Sequence, residues 1–232
     1  MSILHEVYNA LPGIERANGA IRQEREFNVV MSELGKVVLD HRLEDIIGIR
    51  LLHRHNDLRP GDLMVEDLEQ VDGAAALVTA RYANSEVQFD FMPSMWACRG
   101  AEGRQDLEFS RQSLLPIDRY FLKSNRDFFV GFAEKARALD VEDFLGVCVL
   151  DRDGFPVNKE SQTEVESTDV VRPANVIRVR SKDLVRTENY FETTWQVHRE
   201  SSTSCPTTCC SYCTPRSPGH EISHHTVHPT PD

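Results

Sequence analysis

The sequence predicts an α+β fold, in which a mainly antiparallel sheet packs with two amphipathic helices and a disordered C-terminal tail follows. Three observations support this: two segments with apolar residues at helical spacing, several segments of alternating apolar and polar residues, and an abrupt change of composition near the C-terminus. Strands interrupted by two separate long helices are typical of α+β domains. We detect no internal repeat in the sequence.

Two helices are predicted from the spacing of their apolar residues. The first covers residues 25–39 and aligns Phe27, Val30, Met31, Leu34 and Val38 on one face. The second follows Ser124, because the pattern SNRD resembles a capping box with Ser124 as the N-cap. Its apolar face contains Phe128, Phe129, Phe132, Ala133, Ala136 and Leu139. We interpret both faces as parts of the hydrophobic core.

Strands are predicted where apolar and polar residues alternate. Residues 76–82 and 87–91 have this pattern on either side of a short polar segment and predict a hairpin. Residues 144–150 are apolar and run into a turn, as a buried strand would. Residues 176–180 alternate again.

Composition divides the chain into a single α+β domain, residues 1–197, and a tail, residues 198–232. The tail is rich in Ser, Thr, Pro, Cys and His and has few large apolar residues, which predicts disorder. Its potential metal ligands are Cys205, Cys209, Cys210, Cys213, His220, His224, His225 and His228. Their spacing is not that of a zinc finger. We interpret the tail as a disordered segment that binds metal at most adventitiously. The alternatives are a dedicated metal site and an altered reading frame at the end of the gene.

Charge and motifs exclude several function classes. The formal net charge is −11, which argues against a nucleic-acid or anionic-membrane partner. The N-terminus lacks a secretory signal pattern, and no apolar run approaches the length of a membrane span, so we expect a soluble cytoplasmic protein. The nucleophile-elbow, P-loop and dinucleotide-binding motifs are missing from the sequence.

The segment GIRLLHRHND, residues 48–57, is the strongest candidate site. On a strand, His53 and His55 would point to the same side and could share one divalent metal ion. Two ligands are too few for a catalytic centre, so a carboxylate must complete the set. Asp57 and Glu66 are the predicted further ligands, with Asp62 and His41 also nearby. The alternative is that both imidazoles have a structural role.

Arg178 and Arg180 form a second candidate site, because they share one face if residues 176–180 are a strand. Such a pair could bind an anion. A solvated or charge-protected strand face is the alternative.

Residues 48–66, GIRLLHRHNDLRPGDLMVE, resemble a segment found in uncharacterised fungal proteins of similar length. The resemblance implies a fungal cytosolic protein, an accessory encoded beside metabolic genes, and no established activity. We therefore expect a non-catalytic protein that binds a small molecule or a protein partner. A metal-dependent enzyme built on His53 and His55, with a divalent metal as cofactor, is the alternative.

Overall fold

The computed structural model describes residues 4–23, 27–83, 90–100, 102–169, 172–185, 189–199 and 206–214. The helices in this part of the chain are α1 (Leu4–Asn9), α2 (Ile14–Gln23), α3 (Phe27–Asp40), α4 (Phe121–Ser124) and α5 (Arg126–Ala138). The strands are β1 (Ile47–Leu51), β2 (Asp62–Val71), β3 (Ala74–Ala83), β4 (Phe91–Ala97), β5 (Gln105–Arg111), β6 (Leu145–Val149), β7 (Gln162–Asp169), β8 (Ala174–Ser181), β9 (Phe191–Val197) and β10 (Thr207–Cys213).

The strands form a closed barrel in the order β1-β6-β4-β5-β2-β3-β8-β7-β10-β9, with β9 returning to β1. The predicted α+β sheet is therefore wrong. Most neighbours are antiparallel, but β2 pairs with β5 and β10 pairs with β7 in parallel. Because the barrel is closed, the inner face of each strand is covered without a second sheet.

The barrel consists of two halves with the same order of elements, which corrects our conclusion that the chain has no repeat. Each half has a helix, a short strand, a hairpin and two further strands: α3 with β1–β5, then α5 with β6–β10. Residues 43–52, LEDIIGIRLL, align without a gap with residues 141–150, VEDFLGVCVL. Since β1 and β6 pair antiparallel, the segments that follow them lie at opposite ends of the barrel.

The main apolar core lies outside the barrel wall, between the wall and the helices. Residues on the outer faces of β1, β6 and β9 pack against α3 and α5 in one cluster. Trp96 and Phe129 meet there with ring centroids 5.3 Å apart. The predicted apolar faces of both helices are confirmed as core. On β1 the outward residues are apolar, and the alternate position, Arg50, points inward. Glu66 on β2 and Glu164 on β7 likewise point into the barrel.

Three local predictions are corrected. Asn125, and not Ser124, precedes α5, and its side chain makes no capping hydrogen bond. β3 forms its hairpin with β2 and pairs on its other side with β8, and Phe91 of the predicted second strand begins β4, which pairs with β5 and β6. Residues 84–89 of the predicted hairpin lie outside the described residues. Residues 207–213, which composition assigned to the disordered tail, form β10 between β9 and β7. Residues 200–205 and 215–232 of that predicted tail lie outside the described residues.

Within the described residues, none of the helices combines the length and the apolar character needed to cross a membrane.

Candidate functional site

A chamber of about 280 Å³ lies inside the barrel. Its mouth is at the end that follows β6, where Asp151, Lys159 and Thr208 line it and are exposed. At about 30 Å³ for each water molecule in the liquid, this volume corresponds to roughly nine waters. The chamber is therefore large enough for a small organic molecule.

Two buried ion pairs lie at the chamber, and Arg50, Glu66 and Arg152 of these pairs line its wall. Arg50 on β1 donates to both carboxylate oxygens of Glu166 on β7. Arg152, which follows β6, donates to Glu66 on β2. In each pair a guanidinium faces a carboxylate, so the charges within each pair cancel.

Two further carboxyl groups face the chamber. Glu108 on β5 is buried and accepts a hydrogen bond from the Tyr8 hydroxyl at 3.2 Å. Burial raises the pKa of Glu108, and nearby Arg50 and His55 lower it by less. Burial also raises the pKa of Glu164 to about 7, against the opposing effect of Arg152.

Two buried polar atoms on the chamber wall have no hydrogen-bond partner in the described part of the chain. One is Oδ1 of Asn175 on β8, a residue that is 1% exposed. The other is Nε of Arg50, whose terminal nitrogens are engaged by Glu166 and Thr194. A buried polar atom that lacks a partner is costly, and both atoms are covered by neighbouring protein atoms.

The N-terminal helices hold the histidine segment at the opposite end of the barrel. Asn9 exchanges hydrogen bonds with the backbone of Leu58, at 2.9 and 2.7 Å. Arg54 donates its backbone N–H to the Pro12 carbonyl and its guanidinium to the Asn9 carbonyl. Residues 52–58 have no regular secondary structure, and these contacts hold them against the barrel.

His53 and His55 converge as predicted, but not by the predicted geometry. β1 ends at Leu51, so both histidines lie in the loop that follows it. Their rings are 4.6 Å apart and both residues are buried. The Nε2 atoms of both rings face Oε2 of Glu166, at 3.8 Å for His53 and 3.2 Å for His55.

Glu166 is the centre of this cluster. It is fully buried, and its Oε1 accepts hydrogen bonds from Arg50, Thr193 and Ser211. Burial alone would raise its pKa, but Arg50 and the hydrogen bonds from His55 and Arg50 hold the pKa well below its usual range. Cys213, the last residue of β10, completes the group: its sulfur and one ligand atom from each of His53, His55 and Glu166 lie within 4.8 Å of one another.

The other predicted metal ligands do not join the histidines. Asp57 pairs with Arg54 at 2.7 Å, and its side chain is 72% exposed. Glu66 lies inside the barrel but pairs with Arg152 and accepts from Ser110. The nearby His41 is exposed at the end of α3, where it contacts the Val37 carbonyl. Of the four predicted ligands, the structure therefore brings together His53 and His55.

The predicted anion site lies on the outside of the barrel. Arg178 and Arg180 share one face of β8, opposite the face that carries Asn175 and Ile177 into the chamber. Arg178 contacts Asp72 at 3.3 Å, and Arg180 is exposed. A nearby carboxylate and open solvent both weaken anion binding.

Sequence reasoning missed Glu164 and Glu166. The sequence contains one signal for these two acids: TEVES alternates carboxylates with an apolar residue, which places both carboxylates on one face of a strand. Cys213 was considered only as a potential ligand within a disordered tail, and not as a partner of His53 and His55. Comparisons with protein-family models, curated proteins and solved structures give no match for this chain.

Proposed function

We propose that the protein binds a small polar molecule in the chamber inside its barrel. The observation that carries the proposal is the chamber of about 280 Å³, whose wall includes the polar side chains of Gln162, Glu164 and Asn175. Carboxyl and amide groups can form hydrogen bonds with a bound molecule. A small molecule with polar groups would therefore find hydrogen-bond partners on this wall.

The charges of the chamber favour an uncharged or cationic molecule over an anion. Both guanidinium groups of the wall are already paired, Arg50 with Glu166 and Arg152 with Glu66. At the mouth, Lys159 pairs with Asp151 at 2.8 Å. Lys182 also lines the chamber and donates to the Lys159 backbone carbonyl, but Glu108 and Glu164 add two further carboxyl groups, so the basic groups of the wall do not outnumber the acidic ones.

Ligand-observed NMR with three sets of small probes of matched size tests this proposal: neutral amides and polyols, primary ammonium compounds, and carboxylates. We expect saturation transfer to members of the first two sets and little to the third. The spectra of the bound probes should be unchanged after a day, because we propose binding without turnover. Preferential binding of carboxylates, or conversion of a probe, would overturn this description.

Two variants on opposite faces of β8 locate the binding. Asn175→Leu replaces a chamber amide by an apolar side chain, and we expect at least a tenfold loss of affinity for the probes. Arg178→Gln changes the outer face of the same strand and serves as the matched control, with affinity retained. Equal binding by wild type and Asn175→Leu would place the site elsewhere.

A further inference from the structure

We propose that His53, His55, Glu166 and Cys213 bind one structural zinc ion that fastens β10 into the barrel. This inference is independent of the proposed chamber ligand, because none of these four residues lines the chamber. The cluster unites three separate parts of the chain: the loop after β1, the middle of β7 and the end of β10.

The distances suit a tetrahedral ion. Zinc binds imidazole nitrogen, carboxylate oxygen and thiolate sulfur at about 2.0–2.3 Å, so tetrahedral ligands lie roughly 3.3–3.8 Å from one another. The His55 and His53 Nε2 atoms lie 3.2 and 3.8 Å from Glu166 Oε2. All four ligand atoms are within 4.8 Å of one another. Side-chain rotations that shorten these separations by at most roughly 1.0–1.5 Å bring them to the tetrahedral distances.

The hydrogen bonds around the histidines direct Nε2 toward the proposed ion. His53 Nδ1 lies 2.9 Å from the Leu51 carbonyl oxygen, which can only accept, so Nδ1 carries the proton. In the neutral ring, Nε2 then presents a lone pair toward the Glu166 carboxylate. The lone pair and the carboxylate repel each other, whereas a cation between them would be attracted to both. His55 Nε2 donates to Glu166 in the absence of an ion. When zinc takes the place of that proton, the other tautomer has its proton on Nδ1, where the Thr168 hydroxyl at 3.2 Å can accept it. Such outer partners are typical of metal-bound imidazole.

Glu166 retains a lone pair for an ion although it is strongly hydrogen-bonded. Arg50, Thr193 and Ser211 donate to Oε1, whereas Oε2 accepts from Arg50 at 2.8 Å and faces the imidazoles. A carboxylate oxygen has two lone pairs, so one on Oε2 remains for the metal. Arg50 thus orients the ligand in the way that outer hydrogen bonds do in metal sites.

The donor set selects zinc and a structural role. A thiolate with two imidazoles favours zinc over magnesium or calcium, which prefer oxygen ligands. Binding displaces the thiol proton of Cys213 to solvent and forms the zinc–sulfur bond, without any change of oxidation state. All four residues are buried, and four protein ligands leave no position open for a substrate, as in structural sites.

The test uses the full chain without a polyhistidine tag, expressed with zinc and washed with a weak chelator. Elemental mass spectrometry should find about one zinc per chain in the wild type and at least tenfold less in Cys213→Ser. A control variant replaces the tail histidines His220, His224, His225 and His228 by Gln and should retain its zinc. If the tail variant loses the zinc while Cys213→Ser keeps it, the metal belongs to the tail and the proposal is overturned.

Cobalt substitution tests the site in the wild-type chain, so the result does not depend on whether a variant folds. The apoprotein is titrated with Co²⁺ alone, and tetrahedral coordination with one thiolate predicts intense visible d–d bands and a sulfur-to-cobalt charge-transfer band at one equivalent. Zinc should displace the cobalt and raise the Tm of the apoprotein. A folded wild-type chain that holds no zinc and gives only the weak spectrum of octahedral cobalt would refute the site.

Discussion

Arg50→Met removes the positive charge that faces Glu166 inside the barrel. The Arg50 side chain is 9% exposed and that of Glu166 is 0% exposed, so little water can replace the lost guanidinium. Thr193, Ser211 and His55 remain as hydrogen-bond partners of the carboxylate, but the first two are neutral hydroxyl groups. The variant therefore leaves a buried carboxylate without its charged partner.

The expected cost follows from the burial of this pair. Removing one partner of a buried, hydrogen-bonded ion pair costs about 3–5 kcal/mol. For a chain of this size, each kcal/mol lowers Tm by about 2–4 °C. We therefore expect Arg50→Met to lower Tm by roughly 6–20 °C. That is a large part of the 5–15 kcal/mol by which a typical domain is stable.

The double variant Arg50→Met with Glu166→Gln supplies the control. Removing both charges leaves no isolated buried ion, so much of the lost stability should return. Urea unfolding of the wild type, both single variants and the double variant, in buffer with EDTA, gives the coupling between the two side chains without bound metal. We expect the double variant to be more stable than Arg50→Met by at least about 1 kcal/mol.

Two results would refute this reasoning. Additive effects of the two substitutions would show that Arg50 and Glu166 do not interact in the folded protein. A loss below about 1 kcal/mol in Arg50→Met would be the behaviour of an exposed pair, in contradiction with the burial of both side chains.

Two other predictions concern pH and packing. Burial raises the pKa of Glu108 in the folded protein above its ordinary value of 4.5. As pH rises above about 4.5, the unfolded chain therefore loses the Glu108 proton before the folded protein does, and the free energy of unfolding decreases. The Tm of Glu108→Gln should therefore improve relative to wild type from about pH 5 to about pH 8, whereas parallel Tm curves would contradict the pKa direction. A Cβ at Gly146 would overlap the backbone carbonyl of Trp96, while one at the equivalent Gly48 first meets the flexible end of Leu150. Thermal unfolding should show Gly146→Ala to be the more damaging change, by about 1–3 kcal/mol; equal losses would mean that the wall yields as readily at both positions.

The helices could be predicted from the sequence, but the closure of the sheet could not. The apolar faces of α3 and α5 have helical spacing, and burial of one face is enough to produce that pattern. β7 alternates Glu164 and Glu166 with Val165, which is the pattern expected of a strand whose polar face meets solvent. In this barrel the same pattern arises because the polar face points inward. Alternation alone does not distinguish a polar face inside a barrel from a polar face in solvent.

The candidate site was predicted in part. The spacing of His53 and His55 correctly indicated that they converge, although they do so in a loop that N-terminal contacts hold in place. Their partners, Glu166 and Cys213, are far away in the chain and were brought near by strand pairing. Residues 207–213 contain no large aliphatic residue, so composition predicted disorder; their order comes from backbone pairing with β9 and β7 on both sides.

The duplicated halves give the chamber a direction. If the barrel were an assembly of two identical half-chains, both ends would carry the same residues, and a bound molecule would meet the same chemistry in either orientation. Here the segment after β1 carries His53 and His55, whereas the equivalent segment after β6 carries Asp151 and Asp153. Asp151 and Lys159 line the mouth of the chamber, whereas the histidines lie at the opposite end of the barrel. A molecule bound in the chamber as proposed would therefore have different groups toward its two ends, and one orientation would be favoured over the other.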